Sequence, residues 1–362
     1  MKGVYFFLRP SKGPEDAGYQ HRSLALAEGL SELNVPVFAN INYWRPGPDS
    51  TDTVFRCDPG VAPEDCEIVV TEHLYFDQEK RFPPCFYQSR RKFRTVYIDA
   101  SDGWRAPALG LYQQGADVVL KCHHSARFDY GPRVRPWAFG LSRRIVDALA
   151  NGTATGARSM SIASNYRLPH PVRKRANDRF LPLLSRLFEV DAREDSKPPV
   201  SAYDRLMWEQ SGRRHNPSYY ARLLGSAACS ACGGYFVPAF SRSLDSLPLR
   251  AACKLISTLS LATNSITQFD SWRFWESLAA GCLTFHVDLS RYGCAFPVMP
   301  VNGMHYFGID LGRCKEEADR VLESQARFSA IAASGQRWAM EHYSPMATAR
   351  RFLDCVQSGA VS

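Results

Sequence analysis

The stretch of sequence that decides the fold is QFDSWRFWESLAAGCLTFHVD, residues 268–288. Its apolar and aromatic side chains recur at helical spacing, which predicts a helix over 272–280. Gly281 ends that helix because glycine allows the chain to reverse. The apolar run at 283–287 then predicts a short buried strand. A helix followed at once by a buried strand is typical of an α/β protein with a parallel sheet.

Three polar side chains lie near the start of the predicted helix. Asp270 and Ser271 come before its first residue, where side chains cap free backbone N–H groups. Glu276 lies one turn beyond Trp272, so we expect it to face a cleft and not the core. These side chains are therefore candidates for a binding site.

The first half of the chain predicts a sheet of the same kind. The apolar run GVYFFL at 3–8 is followed by a loop with two glycines and by a helical pattern over 21–33. Further apolar or β-branched runs lie at 35–41, 68–71, 95–98 and 118–120. Strands of this type are typical of a parallel sheet covered on both faces. The first half is therefore predicted to be a Rossmann-like domain.

The small, polar segment NGTATGAR at 151–158 predicts a linker between two domains. We accordingly predict an N-terminal Rossmann-like domain over 1–155 and a second one over 156–340. A final helix over 341–362 completes the chain. Ser344 before Pro345 gives that helix an N-cap and a proline at its first position.

The second half predicts another alternation of strands and helices. Periodicity predicts strands at 160–164, 255–261 and 283–287. It predicts further helices at 172–188, 217–231 and 315–333. Two successive α/β units are typical of a pair of facing Rossmann-like domains.

Composition limits the class of protein. With 362 residues, the chain exceeds what one hydrophobic core usually organises. No apolar run reaches the roughly 20 residues that cross a bilayer, and the eleven cysteines favour buried, reduced thiols. We therefore expect a cytoplasmic protein. The pair Cys229 and Cys232 is expected to pack in the core on a helix, since no second pair completes a zinc site.

The net charge of +8 comes partly from clusters of basic residues. Such clusters favour a polyanionic or phosphate-bearing partner, or peripheral contact with an anionic membrane surface. A solvated surface is the ordinary alternative for any one cluster. The clusters are Arg90, Arg91, Lys92 and Arg94; Arg143 and Arg144; Arg173, Lys174 and Arg175; Arg213 and Arg214.

The pattern around Glu276 is an aromatic residue, then Glu-Ser-Leu-Ala-Ala-Gly-Cys and an apolar strand. It resembles the donor-binding element of GT-B glycosyltransferases, notably exostosin-like and family-4-like enzymes. The resemblance implies two facing Rossmann-like domains with a C-terminal helix that crosses back. It also implies that Glu276 hydrogen-bonds the ribose of a nucleotide sugar, that Arg273 reaches a phosphate, and that Asp270 and Ser271 lie beside the donor.

One position departs from this pattern. Many retaining GT-B enzymes have a second glutamate eight positions before the first, and this chain has Gln268 there. Retention and inversion of the sugar therefore both stay open. Elsewhere, residues 3–30 resemble the first strand, loop and helix of a GT-B acceptor domain. Residues 215–234 resemble the helix that precedes the donor-site strand.

Catalytic candidates come from the first half. Histidine has an unperturbed pKa near neutrality, so His21, at the start of the first helix, is a candidate base for an acceptor hydroxyl. Asp99 and Asp102 end one predicted strand, and Glu72 and His73 end another. Carboxyl ends of parallel strands border the ligand crevice, and we favour the aspartates. Helix starts and loop caps are the ordinary alternatives for all of these residues.

Further donor-binding candidates follow the first strand of the second half. In a GT-B layout, the loop that contains Asn165 and Arg167 approaches the donor diphosphate, and Arg167 with Arg173 suits pairing with phosphate oxygens. We expect no metal and no cofactor. His123 and His124 are adjacent and so point in different directions, and no DxD motif occurs.

The leading hypothesis is a metal-independent hexosyl- or pentosyltransferase. It would move a sugar from a nucleotide-sugar co-substrate to a hydroxyl on a glycan, a lipid-linked glycan or DNA. A sugar-nucleotide epimerase of the same fold is the second hypothesis, although no convincing set of acidic groups for a sugar ring is visible. A non-catalytic binding protein for a polyanion such as nucleic acid is the third. The basic clusters permit it, but no nucleic-acid motif supports it.

Overall fold

The computed structural model describes residues 2–9, 16–101, 115–152, 157–164, 170–193, 195, 197–238, 251–252, 254–256, 259 and 261–358. Within these ranges the chain folds into two halves, each built around a parallel β-sheet. The predicted α/β class is confirmed. Among the described residues, every helix is too short or too polar to cross a bilayer.

The first half contains a six-stranded parallel sheet with the order β2-β1-β3-β4-β5-β6. The strand order reverses between β1 and β3, the kind of position where open α/β sheets bind ligands. The predicted apolar runs coincide with all strands except the short, partly exposed β6. The strands are β1 Val4–Phe7, β2 Val37–Ala39, β3 Ile68–Glu72, β4 Arg94–Asp99, β5 Val118–Lys121 and β6 Val134–Pro136.

Helices cover this sheet because their apolar faces pack on its strands. Leu24, Ala27 and Leu30 of the first helix share a core with Val4 and Phe6. The helices of this part of the chain are α1 Asp16–Glu32, α2 His73–Glu79 and α3 Arg143–Ala150, with 3₁₀ turns at Pro63–Asp65 and Pro84–Tyr87.

The second half has a five-stranded parallel sheet with the order β13-β12-β9-β7-β8. A separate antiparallel pair, β10-β11, lies beside it. The strands are β7 Ser159–Ala163, β8 Glu189–Asp191, β9 Ser226–Ser230, β10 Tyr235–Val237, β11 Ser265–Thr267, β12 Leu283–Val287 and β13 Phe307–Ile309. The helices are α4 Pro171–Arg175, α5 Ala202–Gln210, α6 Pro217–Gly225, α7 Trp272–Ala279, α8 Cys314–Glu323, α9 Phe328–Tyr343 and α10 Pro345–Ser358.

The helix predicted over 217–231 is wrong in its second part. The helix α6 ends at Gly225, and the next residues form β9, a central strand of the sheet. The small side chains of SAACS fit a strand buried between helices, and their sequence has no alternation that would mark a strand. Cys229 therefore lies on a strand and not on a helix, although both it and Cys232 are free and buried, as expected.

Three other predicted elements differ from the structure. The pattern over 172–188 breaks into α4, a π-helical turn at Ala176–Phe180 and a 3₁₀ turn at Leu181–Leu184, where Pro182 cannot continue a helix. The predicted strand over 255–261 is wrong, since 254–256 are helical. The single pattern over 315–333 becomes α8, a 3₁₀ turn at Gln325–Arg327 and α9.

Two helices of the second half pack back onto the first. Ala349, Phe352 and Val356 of α10 belong to the core of the first half, which confirms the predicted return of the C-terminal helix. Leu206 and Met207 of α5 enter the same core, a contact that the sequence did not suggest. The two halves are therefore joined through their hydrophobic cores.

The packing of α10 on α1 depends on a glycine. A Cβ atom added at Gly29 would lie 1.9 Å from the carbonyl oxygen of Pro345. We therefore expect Gly29→Ala to push the helices apart and lower the free energy of unfolding by about 3 kcal/mol. Gly47→Ala is the matched control, because no atom lies within 4 Å of its added Cβ. Equal urea midpoints for the two variants would contradict this account.

The carboxylate of Glu28 joins α1 to the start of α3. Its Oε2 atom accepts a hydrogen bond of 2.7 Å from the backbone N–H of Arg143, and its side chain is buried. Burial raises the pKa of Glu28 to about 7, against the opposing effect of that hydrogen bond. The folded chain therefore holds this proton more tightly than the unfolded chain.

The raised pKa predicts a pH-dependent stability. The stabilising effect is complete below the unfolded pKa of 4.5 and is lost as the pH rises to about 7. The Glu28→Gln variant lacks this titration, so its free energy of unfolding should fall less than that of the wild type over this range, by roughly 2–4 kcal/mol. Urea unfolding at several pH values measures the difference. Glu323→Gln, at an exposed position, should keep the wild-type slope.

Candidate functional site

A glycine turn lies at the switch point of the second sheet, where the strand order reverses between β7 and β9. After β9, the chain passes through Cys232, Gly233 and Gly234 before it enters β10. Gly234 has φ = 107°, and its backbone N–H donates a hydrogen bond of 3.1 Å to Nδ1 of His170. Open α/β sheets bind ligands at such a point, and glycines let a ligand approach the backbone closely.

A buried arginine contacts this turn. Arg173 on α4 is 6% exposed, and its Nε donates a hydrogen bond of 3.3 Å to the carbonyl oxygen of Cys232. A Cβ atom added at Gly233 would lie 3.7 Å from Nη2 of Arg173 and 3.8 Å from the carbonyl oxygen of Gln268. The turn, Arg173 and Gln268 therefore lie side by side at this switch point, where open α/β sheets form a ligand crevice. Its positive charge suits a phosphate-bearing ligand.

Glu276 lies on α7, as predicted, but the expectation that it faces an open cleft is wrong. Its side chain is 3% exposed, and Oε1 accepts a hydrogen bond of 3.0 Å from the Tyr220 hydroxyl. That hydroxyl in turn accepts one of 2.8 Å from Nη1 of Arg144. Burial raises the pKa of Glu276, against the opposing charges of Arg144 and Arg273. Glu276 is thus part of a buried polar network.

Asp270 connects the two halves of the chain. Its Oδ1 accepts a hydrogen bond of 2.6 Å from Nε1 of Trp275, and its Oδ2 accepts one of 2.6 Å from the backbone N–H of Phe139. Burial raises the pKa of Asp270 to about 6. Ser271 is the N-cap of α7, although its side chain makes no capping hydrogen bond. One oxygen of Asp270 therefore contacts the first half, and the other is held by Trp275 of its own half.

His21 is buried between the two halves. It stacks on Phe139 with ring centroids 4.5 Å apart, and the ring of Trp272 lies 5.0 Å away. Its Nε2 lies 3.4 Å from the carbonyl oxygen of Gly140. Burial and then the charge of Arg144 lower the pKa of His21 well below its usual value, so the ring is neutral at neutral pH. A role in proton transfer stays a prediction.

Asp99 lies at the carboxyl end of β4, beside Lys121 of β5. The carboxylate and the ammonium form an ion pair of 2.8 Å, and both side chains are fully buried. Burial opposes ionisation of Asp99, but the charge and hydrogen bond of Lys121 and a hydrogen bond from Ser101 lower its pKa. Glu72 caps α2, which is the ordinary role, by accepting hydrogen bonds from the backbone of Leu74 and Tyr75.

Three other predicted site residues, Asp102, Asn165 and Arg167, lie outside the described residues. Arg273 is half-buried on α7, close enough to Glu276 for their charges to interact. In the described part of the chain, no group of three or more His, Cys, Asp or Glu side chains is arranged to hold a metal ion. His123 and His124 diverge, since Nδ1 of His123 accepts from the backbone of Asp270 while His124 lies 4.4 Å from Tyr130.

The sequence did not single out several residues that the fold brings to these sites. Tyr220 and Lys121 are assigned to these sites only by their contacts with Glu276 and Asp99 in the folded chain. Arg144 belonged to a basic cluster, and nothing in that cluster distinguished the buried arginine from its exposed neighbour Arg143. Burial of a charged residue is a tertiary property, so local patterns do not report it.

The two adjacent glycines of the turn make a matched pair of variants. A Cβ atom added at Gly234 would lie 2.1 Å from the carbonyl oxygen of Thr267, whereas one added at Gly233 makes only ordinary contacts. We expect Gly234→Ala to lower the free energy of unfolding by about 2–4 kcal/mol through this clash and the positive φ. Gly233→Ala should change it little in the same urea titration. A larger loss in Gly233→Ala would refute this description of the turn.

Comparison with known proteins identifies the fold. No protein-family model matches the chain, and no match is found among curated protein sequences. A glycosyltransferase from Rickettsia africae ESF-5 is similar in structure, with 11% identity, a TM-score of 0.54 and coverage of 99% of this chain and 98% of that one. An alpha-glucosyltransferase in complex with UDP has 10% identity, a TM-score of 0.54 and coverage of 98% and 99%.

A second structure of an alpha-glucosyltransferase, with UDP-glucose and DNA containing an abasic site, also has a TM-score of 0.54, at 11% identity and with coverage of 98% and 99%. This chain spans 55% of the longer TarM, for which the TM-score is 0.47. Two parallel sheets with a returning C-terminal helix agree with the similarity at TM-scores of 0.54. The chain therefore has the GT-B fold of these glycosyltransferases.

Proposed function

We propose that this chain transfers a sugar from a nucleotide-sugar donor to a hydroxyl group of an acceptor. The observation that carries the proposal is the place of the Gln268–Asp288 stretch in the fold. This stretch, which resembles a GT-B donor element, forms α7 and β12 in the second half, next to the switch-point crevice. The structural relatives with TM-scores of 0.54 are glycosyltransferases, and one of them binds UDP.

The donor would lie at the carboxyl edge of the second sheet. Arg173 and the backbone N–H of Gly233 would face the diphosphate, because a cation and a close backbone N–H group stabilise phosphate oxygens. The N–H of Gly234 is already donated to His170. Arg273, and Arg167 with Asn165, which follow β7 in the sequence, are further proposed contacts of the diphosphate. Glu276 would accept hydrogen bonds from the ribose hydroxyls, exchanging part of its buried network for the ligand.

The acceptor would enter from the first half. His21 is the proposed base because its neutral ring has a nitrogen that can accept a proton, while the burial and the Arg144 charge that lower its pKa weaken it as a base. Asp99 is a weaker base because the ion pair with Lys121 stabilises its ionised form. Catalysis would come mainly from holding donor and acceptor together and from stabilising the departing diphosphate.

The proposal includes three finer points. The transferred group is a hexose or a pentose, the reaction needs no metal ion, and the acceptor is a glycan, a lipid-linked glycan or DNA. DNA is included among the proposed acceptors because one structure of an alpha-glucosyltransferase contains DNA. Assays with each acceptor class, with and without EDTA, separate these possibilities. Loss of transfer in EDTA would overturn metal independence alone.

A panel of nucleotide sugars tests the proposal as a whole. The purified chain is incubated with UDP, GDP, CMP and dTDP sugars, and donor hydrolysis and the shift in melting temperature are measured. A ligand that binds the folded state raises its stability according to its concentration and affinity. We expect one nucleotide to give both signals. If no nucleotide sugar in the panel is hydrolysed or shifts the melting temperature, the proposed transferase activity is ruled out.

Substitution of Glu276 tests the ribose contact. Glu276→Gln keeps the shape and can still accept from Tyr220, but it loses the charge that strengthens hydrogen bonds from ribose hydroxyls. We expect the dissociation constant of the active nucleotide sugar to rise about 10- to 100-fold. Glu316→Gln, which removes an exposed carboxylate on α8, should leave it unchanged. Isothermal titration calorimetry provides the comparison, and equal affinities would remove the role assigned to Glu276.

A further inference from the structure

The glycine turn at the switch point is held by the start of α4. The backbone N–H of Gly234 donates a hydrogen bond of 3.1 Å to Nδ1 of His170, the N-cap residue of α4. The carbonyl oxygen of Gly234 accepts one of 3.2 Å from the backbone N–H of Val172. Arg173 donates to the carbonyl oxygen of Cys232, at the start of the same turn. Both backbone groups of Gly234 are therefore fixed by α4.

On its other side, Gly234 packs closely against the end of β11. A Cβ atom added at Gly234 would lie 2.1 Å from the carbonyl oxygen of Thr267 and 3.3 Å from that of Gln268. Gln268 has φ = 55°, a value that residues other than glycine adopt only when the surrounding structure holds them there. The turn and the residue beside it thus depend on their contacts for their shape. The hydrogen bond from Gly234 to His170 is one of these contacts.

The ring of His170 accepts this hydrogen bond in one protonation state only. Because Nδ1 accepts from an N–H group, it carries no proton itself, and the proton of the neutral ring is on Nε2. The ring centroid lies 4.9 Å from that of Tyr235, which directly follows Gly234 in the chain. Histidine is the side chain that ordinarily titrates between about pH 5 and 8. Protonation of Nδ1 would set two N–H donors against each other.

Other charged and titratable side chains surround His170 from both halves of the chain. Burial is the main cause that lowers the pKa of His123, and the charge of His170 adds to it, which shows that the two rings are close. A test of His170 must leave all of these neighbours in place. They include Arg173 and Lys174 on α4, Cys232 in the turn, Tyr235 on β10 and His123 after β5.

We propose that His170 is a positioning residue for the nucleotide-sugar donor and makes donor binding depend on pH. With Nδ1 unprotonated, His170 holds Gly234 and so keeps the N–H of Gly233 and the guanidinium of Arg173 beside the diphosphate. With Nδ1 protonated, the hydrogen bond to Gly234 is lost and the turn is released on that side. This inference rests on the proposed function, which assigns the donor to this crevice.

Two amide variants separate the hydrogen bond from the ring. Asparagine can place its oxygen where Nδ1 lies, whereas glutamine carries its oxygen one bond further from the backbone. Both variants lose the ring contact with Tyr235, and neither titrates. At about pH 7.5, His170→Asn should bind the active nucleotide sugar like the wild type, and His170→Gln about 3- to 10-fold more weakly, the loss expected for one hydrogen bond. Isothermal titration calorimetry measures both affinities, and urea unfolding shows whether both variants fold.

The pH dependence is a readout that a merely structural role would not change. As the pH falls from about 7.5 to about 5.5, the dissociation constant of the wild type should rise about 3- to 10-fold more than that of His170→Asn. The carboxyl groups of Asp270 and Glu276 are present in both chains, so their titration cancels in this comparison. Equal pH profiles for the two chains would overturn the proposal, and so would equal affinities of His170→Gln and the wild type.

Nuclear magnetic resonance of the wild-type chain tests the contact without a donor. The amide of Gly234 should lose its protection against hydrogen exchange, relative to its intrinsic rate, as the ring of His170 becomes protonated. Protection that stays constant while the ring titrates would overturn the proposal. If no nucleotide sugar binds the wild type, the proposed function fails and the donor role of His170 fails with it. If the wild type binds and both variants match it at every pH, this inference alone fails.

Discussion

The carboxylate of Asp270 is the contact on which the relation between the two halves depends. It is buried and accepts hydrogen bonds from Trp275 of its own half and from the backbone of Phe139 in the connection from the first. A carboxylate can be buried only when such hydrogen bonds replace water. The same two bonds fix the start of α7 against the ring of Phe139, on which His21 stacks. The position of Glu276, one turn further along α7, follows from this contact.

Helices of the second half that pack on the first half add to this contact. The helices α5 and α10 start in the second half but bury their apolar faces in the core of the first. Two backbone contacts also join the halves. Ser125 and Cys294 form a strand-like bridge, and the N–H of Ala295 donates a hydrogen bond of 2.9 Å to the carbonyl oxygen of His124. Separating the two halves would expose these cores to water. The boundary between the halves is therefore held by packing as well as by hydrogen bonds.

A network of buried polar side chains runs from the boundary between the halves into the second half. Arg144 contacts Tyr220, and Tyr220 contacts Glu276. One hydroxyl group, that of Tyr220, thus links Arg144 to the carboxylate assigned to the donor. In a low-dielectric interior, hydrogen bonds in such chains polarise one another.

The sequence by itself determined the α/β class, the parallel sheets and the position of Glu276 on α7, because these follow from local periodicity and apolar runs. The return of the last helix was implied by the resemblance to GT-B enzymes. It did not determine the strand Ser226–Ser230, whose small residues have no alternation, or the burial of Arg144, whose neighbour Arg143 is exposed. Only the tertiary structure decided that Asp270 joins the halves and that Tyr220 lies between Arg144 and Glu276. These contacts link residues far apart in the chain, so no local pattern encodes them.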